Sequence, residues 1–270
     1  MDQSSLMKNK KGLVMGVANE RSIAWAIAKE LYKAGAKVAL AYQGEALKKR
    51  VYPLAKKIKS PLILECNAES ENEIQKTFKE IKKKWKKIDF VLHAIAFSDK
   101  DELKGKYIDT SKENFKRTLN ISCFSFTSVT KEASKIMNDG GSLLTLSYFG
   151  SEKVMPHYNV MGIAKAALET SVKYLAKDLG PRKINVNALS PGPIKTLASS
   201  AIGDFNYILK WNEQNSPLKR NITSEEIAKS ALYLLSDLSS GVTGEVHHVD
   251  SGYNIIGMKN PDSPDIFQNQ

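Results

Sequence analysis

Cysteine is nearly absent: Cys66 and Cys123 are the only two in 270 residues. Two thiols at that separation exclude a disulfide framework and a structural zinc site. Long apolar runs are missing as well, since nothing approaches the roughly 20 residues that a membrane helix needs. The polar, lysine-containing N-terminus does not have the form of a signal peptide, so a cytoplasmic location with no membrane partner is expected. Aromatic residues make up only 8% of the chain and do not cluster among the basic ones. That argues against a stacking platform for nucleic acid. No metal site and no acidic pair positioned for other chemistry is expected.

What is present is charge and regular patterning. Hydrophobic residues are 42% and charged residues 26%, as in soluble globular proteins. The net charge of +11 is lopsided. Residues 1–120 hold 26 Lys+Arg against 15 Asp+Glu, whereas residues 121–270 hold 14 of each. Runs such as Lys82-Lys83-Lys84 and Lys48-Lys49-Arg50 fall on the polar side of helical patterns, so they read as solvated outer faces.

Short apolar runs alternate with helical patterns along the chain. Strands are expected at Lys11–Val17, Val38–Ala41, Leu62–Cys66, Asp89–Ala94, Gly141–Ser147, Ile184–Leu189 and Glu245–Val249. Continuous apolar strands of this kind mean a parallel sheet covered on both faces. Ser22 opens a helix closed by Gly35, and a basic helix runs to about Lys59. Ser70-Glu71-Asn72-Glu73 and Thr223-Ser224-Glu225-Glu226 have the spacing of capping boxes. Thr110-Ser111-Lys112-Glu113 caps a helix expected to reach Met137. The prediction is one α/β domain over 1–270, a doubly wound, Rossmann-type sheet of seven parallel strands. Its core spans 8–257, with a loosely patterned segment at 196–215 long enough to be a substrate lid, and a tail at 258–270.

In such sheets ligands bind beyond the carboxyl ends of the strands. The first strand lacks G-x-G-x-x-G, but Gly16 permits close backbone approach, and the helix start at Ser22-Ile23 favours negative charge. The second strand ends in Tyr42-Gln43-Gly44, with no cation before Lys48. Gln43 suits a free ribose hydroxyl and therefore NADH over NADPH. Asn67-Ala68 could hold an adenine, Ile95 and its small neighbours a nicotinamide ribose, and Ile194-Lys195-Thr196 a carboxamide and pyrophosphate. Tyr158 and Lys165 are seven residues apart, which at roughly 100° per residue puts a phenol and an ammonium on one helix face. That pairing suits a proton donor above a ribose clamp.

Gly16-x5-Ser22-Ile23-Ala24, His93-Ala94-Ile95, Leu146-Ser147-Tyr148, Tyr158-x6-Lys165, Pro191 to Thr196 and Gly244 to Asp250 together resemble the bacterial enoyl-acyl-carrier-protein reductases. These form a divergent branch of the short-chain dehydrogenase/reductase superfamily. The likeness covers about residues 8–257. It implies reduction of trans-2-enoyl thioesters by NADH, the last step of the type II fatty-acid elongation cycle. It also implies an acidic acyl carrier protein as partner and a homotetramer. Carried over, Tyr158 stabilises the enolate oxygen, Lys165 holds the nicotinamide ribose, and Tyr148 lines the pocket as a third catalytic residue. Gly16, Ser22, Ile23, Gln43, Asn67, Ala68, Ile95, Ile194, Lys195, Thr196, Leu197 and Ala198 match cofactor contacts, and Ser98 matches a substrate contact. Asn67 stands where the family usually has Asp, and Ala96 where Gly is common. A ketone reductase of the same fold would want Tyr four residues before Lys165, where Met161 stands.

Overall fold

In the computed structural model, which describes residues 5–196, 199 and 203–263, β1 (Lys11–Met15) lies inside the sheet. It pairs in parallel with β2 (Lys37–Tyr42) on one side and β4 (Ile88–His93) on the other. Outward from β2 lies β3 (Ile63–Glu65). Beyond β4 come β5 (Met137–Leu146), β6 (Asn185–Pro191) and β7 (Val246–Val249), giving the order β3-β2-β1-β4-β5-β6-β7. The expected single α/β domain with seven parallel strands is what is observed. β1, β2, β4 and β6 are almost wholly buried, as strands covered on both faces must be.

Two cores sit on opposite faces. One packs α1 (Ile23–Lys33), α2 (Gly44–Lys57) and α9 (Ser224–Leu235) on the sheet through Trp25, Leu31, Val51 and Ile227. The other packs α3 (Glu71–Trp85), α6 (Ser125–Ser134) and α7 (Val160–Leu179) through Phe78, Phe126 and Leu168. A short α4 (Lys100–Lys104) and α5 (Lys112–Leu119) follow β4, and α8 (Phe205–Asn215) precedes α9. No helix among the described residues is long and apolar enough to cross a membrane.

Three local expectations are corrected. The helix expected to reach Met137 is broken: α5 passes through a π-helical turn at Asn120–Phe124 into α6, which ends at Ser134, and Met137 already belongs to β5. Its cap is Ser111, whose hydroxyl accepts the Asn114 N–H. At α3 only half of the expected box forms. Ser70 accepts the Glu73 N–H, but the Glu73 carboxylate accepts the N–H of Asn67. The α9 box is complete on Thr223 and Glu226.

Candidate active site

Lys165 sits one and a half turns into α7, buried to 5% exposure. Its Nζ donates to the carbonyl oxygen of Leu146, at the end of β5, at 2.6 Å. Burial holds the ammonium's pKa down to about 8, while Glu169 and Cys123 act the other way. One turn further along α7, Glu169 accepts hydroxyl protons from Ser147 and Ser151. The end of β5 is thus fastened to α7 by a cation and an anion in successive turns.

Tyr158 does not lie on the helix face inferred from its spacing. α7 begins at Val160, and Tyr158 occupies the turn before it, between His157 at φ +56° and Asn159 at φ +42°. Non-glycine residues rarely hold positive φ, so these two break the helical path and present the phenol separately. Tyr158 is 7% exposed, and burial raises its pKa above the ordinary phenol range, with Tyr148 and Glu169 adding to the rise. The phenol is therefore a neutral donor at any physiological pH. Its ring lies against Gly150, where an added Cβ would come within 2.4 Å of Tyr158 Cδ1.

Tyr148 meets Tyr158 edge to face, with ring centroids 5.0 Å apart. Burial raises its phenol pKa as well. Behind Tyr148 opens a cavity of about 170 Å³ walled by Phe149, Met155, Pro193, Ile208, Trp211 and Tyr253 among others. Most of that wall stands on the loop after β5 and on α8, so the segment expected as a lid supplies aromatic and aliphatic side chains to it. Trp211 Nε1 donates to the Tyr253 hydroxyl at 2.9 Å.

At the other strand ends, Gly16 takes φ +98° with the Ala94 carbonyl oxygen where a Cβ would need to be, at 2.0 Å. That glycine is required by the end of β4 as much as by any ligand. Ser22 precedes α1 but does not cap it; its hydroxyl donates to Asn19 O at 2.6 Å. The helix's first-turn amides thus gain no side-chain partner from Ser22 and can receive an anion. Gln43 is exposed at the start of α2. Lys48, the nearest cation, is held by Glu45 at 2.7 Å. Asn67 lies at the end of β3, and its Oδ1 accepts the Glu69 N–H at 3.0 Å.

A family model described as enoyl-(acyl carrier protein) reductase matches residues 16–254. The chain belongs to this family. It is 65% identical to enoyl-[acyl-carrier-protein] reductase [NADH] 1 of Rhizobium meliloti, covering 97% of each chain. A crystal structure of the Anaplasma phagocytophilum reductase in complex with NAD superposes with a TM-score of 0.92 at 54% identity, covering 97% of this chain and 98% of that one. The Bacillus cereus enzyme, solved with NADP+ and an indole naphthyridinone, gives 0.92 at 50% identity over 94% and 99%.

Against that family pattern, the remaining candidates are placed as follows. Ala68 is buried, Ile95 and Ile194 half-buried, and Ala96 and Lys195 exposed. Thr196 and Ser199 bond each other reciprocally, while Leu197 and Ala198 lie outside the described residues. The Ser98 hydroxyl faces α5, taking hydrogen bonds from Thr118 at 3.0 Å and Asn114 at 3.2 Å. The hydroxyl expected at the substrate is therefore engaged as a brace for the loop after β4.

Sequence reasoning missed Glu169, Ser151, Trp211 and Tyr253. Glu169 could have been found as the residue four after Lys165, on the same helix face. It also gave His93 no role. That ring is fully buried, with Nε2 2.8 Å from Ser125 Oγ and Nδ1 3.1 Å from Thr145 Oγ1. Burial and the Lys165 charge lower its pKa to about 3, so it is neutral.

Proposed function

We propose that this chain reduces the double bond of trans-2-enoyl thioesters carried on an acyl carrier protein, with NADH as reductant, closing each fatty-acid elongation cycle. The observation that carries the reading is the tyrosine pair: Tyr158 and Tyr148, edge to face, stand where an apolar cavity meets the strand ends that hold Lys165. A thin acyl chain fits such a cavity, whose wall includes Tyr148, the ring partner of Tyr158.

NADH, when bound, supplies a hydride to the β-carbon. The residues present suit its recognition: the start of α1, whose amides receive no side-chain cap from Ser22, Gly16 at positive φ, and an exposed neutral Gln43 with Lys48 already neutralised by Glu45. Lys165 keeps two ammonium protons beyond the one given to Leu146, enough to hold two ribose hydroxyls. Asn67, with Oδ1 turned to Glu69, retains its amide protons for an adenine nitrogen. Ile95, Ala68 and the stretch from Ile194 to Thr196 complete the cofactor groove.

Tyr158 donates a hydrogen bond to the thioester oxygen as negative charge collects there. A donor aimed at developing charge in a dry site lowers the barrier, and the raised pKa keeps that proton on the phenol until it is needed. Tyr148 orients the Tyr158 ring and walls the acyl site, and α8 covers it. Ser98 acts through the loop after β4. The carrier docks on Lys100, Lys104, Lys106 and Lys210, the exposed cations around this rim; an acidic partner would be drawn there. The working unit is a homotetramer. Ile163 and Tyr174, 42% and 70% exposed, lie eleven residues apart on α7 and so form one apolar stripe on its outer side, and the π turn that ends in the exposed Phe124 packs against the same helix.

The test follows absorbance of NADH with a crotonyl thioester and repeats it with NADPH. Oxidation of NADH, at higher kcat/KM than NADPH, is expected. Oxidation only with a 3-ketoacyl thioester would overturn the reading.

A further inference from the structure

The turn that carries Tyr158 is built from two residues in a backbone conformation that side-chain-bearing residues rarely adopt. His157 and Asn159, on either side of it, hold φ +56° and +42°. Such conformations persist when the surroundings over-determine them. Here each flanking side chain is tied to a different segment. The Asn159 amide nitrogen donates into the carbonyls that end α4, with Glu102 O at 3.2 Å, Leu103 O at 3.3 Å and Gly105 O at 2.9 Å. Those are the unpaired oxygens of a helix end, so one amide satisfies several of them at once. On the other side, His157 Nε2 lies 3.1 Å from Asp204 Oδ2, immediately before α8. Gly203 leaves room for the imidazole: a Cβ there would sit 3.2 Å from its ring carbons. The floor is Gly150, packed under the Tyr158 ring.

We propose that His157 and Asn159 are positioning residues that hold the Tyr158 hydroxyl in place by strapping its turn to α8 on one side and to α4 on the other. The inference rests on the assignment of Tyr158 as donor to the thioester oxygen. Nothing in the family pattern used above assigns a role to either neighbour. Both straps run to elements that border the cleft: α4 belongs to the connection after β4, and α8 walls the acyl cavity. The position of the hydroxyl therefore depends on both walls.

Glycine separates the two functions of each position, because it tolerates positive φ but carries no strap. Asn159→Gly is expected to lower kcat by about 10–100-fold, the scale of a small misplacement of a catalytic group, with the NADH dissociation constant unchanged. His157→Gly and Asp204→Ala should each lower kcat to a similar smaller extent, and the double variant should be no worse than either alone. The decisive comparison is made in the Tyr158→Phe background. With the hydroxyl gone, Asn159→Gly should cost no further kcat. An equal loss in both backgrounds, or a matching loss of NADH affinity, would show that the straps serve folding and overturn the proposal. If Tyr158→Phe itself turns over at the wild-type rate, it is the assignment of Tyr158 that fails. Should Asn159→Gly not fold, His157→Gly in the two backgrounds decides the same question.

Discussion

A single phenol stands between two environments here, and its neighbours set what it can do. Tyr158 is buried, raised in pKa and unbonded to the Lys165 ammonium, which goes instead to Leu146. Tyr158→Phe should lose most of kcat, about 3–4 kcal/mol of transition-state stabilisation, with little change in NADH affinity. Stopped-flow turnover and a cofactor fluorescence titration measure the two separately, and wild-type turnover would remove Tyr158 from the mechanism. Lys165 offers a pH test. In the fold its pKa is lowered to about 8 from 10.5, so the ammonium is complete below pH 7 and titrates away above pH 8. If the charged form holds the ribose, the NADH dissociation constant should be flat from pH 6 to 7 and rise between pH 8 and 9. Lys165→Met should bind weakly at every pH in that range; a parallel pH curve for the variant would refute the clamp. Tyr148, Tyr158 and Lys165 were proposed as site residues from spacing and family likeness. Their geometry was not legible there, because the positive φ of His157 and Asn159 arises from bonds to Gly105 and Asp204, more than forty residues away in each direction.

At the level of elements, the inner strands read cleanly because both of their faces are buried, and the α9 box read correctly because the Glu226 carboxylate, although it also accepts from Arg220, still reaches the Thr223 N–H. The α3 box failed in its second half because Glu73 found the amide of Asn67 instead. The break between α5 and α6 was invisible, since a π turn leaves the apolar spacing nearly intact. The end of β4 provides the stability prediction. His93 titrates near 3 in the fold and near 6.5 when unfolded, so between those values the unfolded chain binds the extra proton. The neutral ring's contribution is complete above pH 6.5 and is lost progressively as pH falls toward 3. Between pH 7 and 4.5 the protein should lose about 2–3 kcal/mol more than His93→Asn does. Urea midpoints by circular dichroism measure this, and parallel curves would mean that the ring is already charged or already solvated.

For the whole molecule, the lopsided charge and the apolar stripe on α7 make separate predictions. Reversing Lys100, Lys104, Lys106 and Lys210 to Glu should raise KM for a carrier-linked enoyl substrate about tenfold or more, while turnover of the small coenzyme A thioester stays close to wild type. Equal losses on both substrates would place those lysines in folding or in the pocket. Sedimentation at micromolar concentration should show four copies, and Ile163→Glu with Tyr174→Glu should shift it to smaller species; a wild-type monomer would contradict the assembly.

The strand order also has a consequence for synthesis. Because the order is β3-β2-β1-β4-β5-β6-β7, every strand leaving the ribosome meets an edge that is already open, and none has to wedge between two partners. Growth proceeds first to one side of β1 and then, from β4 onward, steadily to the other. The last additions on the two flanks, β3 and β7, are the shortest strands, three and four residues long. Short borders give a second nascent chain little to pair with. The sheet is thus closed to strangers at each margin by the brevity of the strand that completes it.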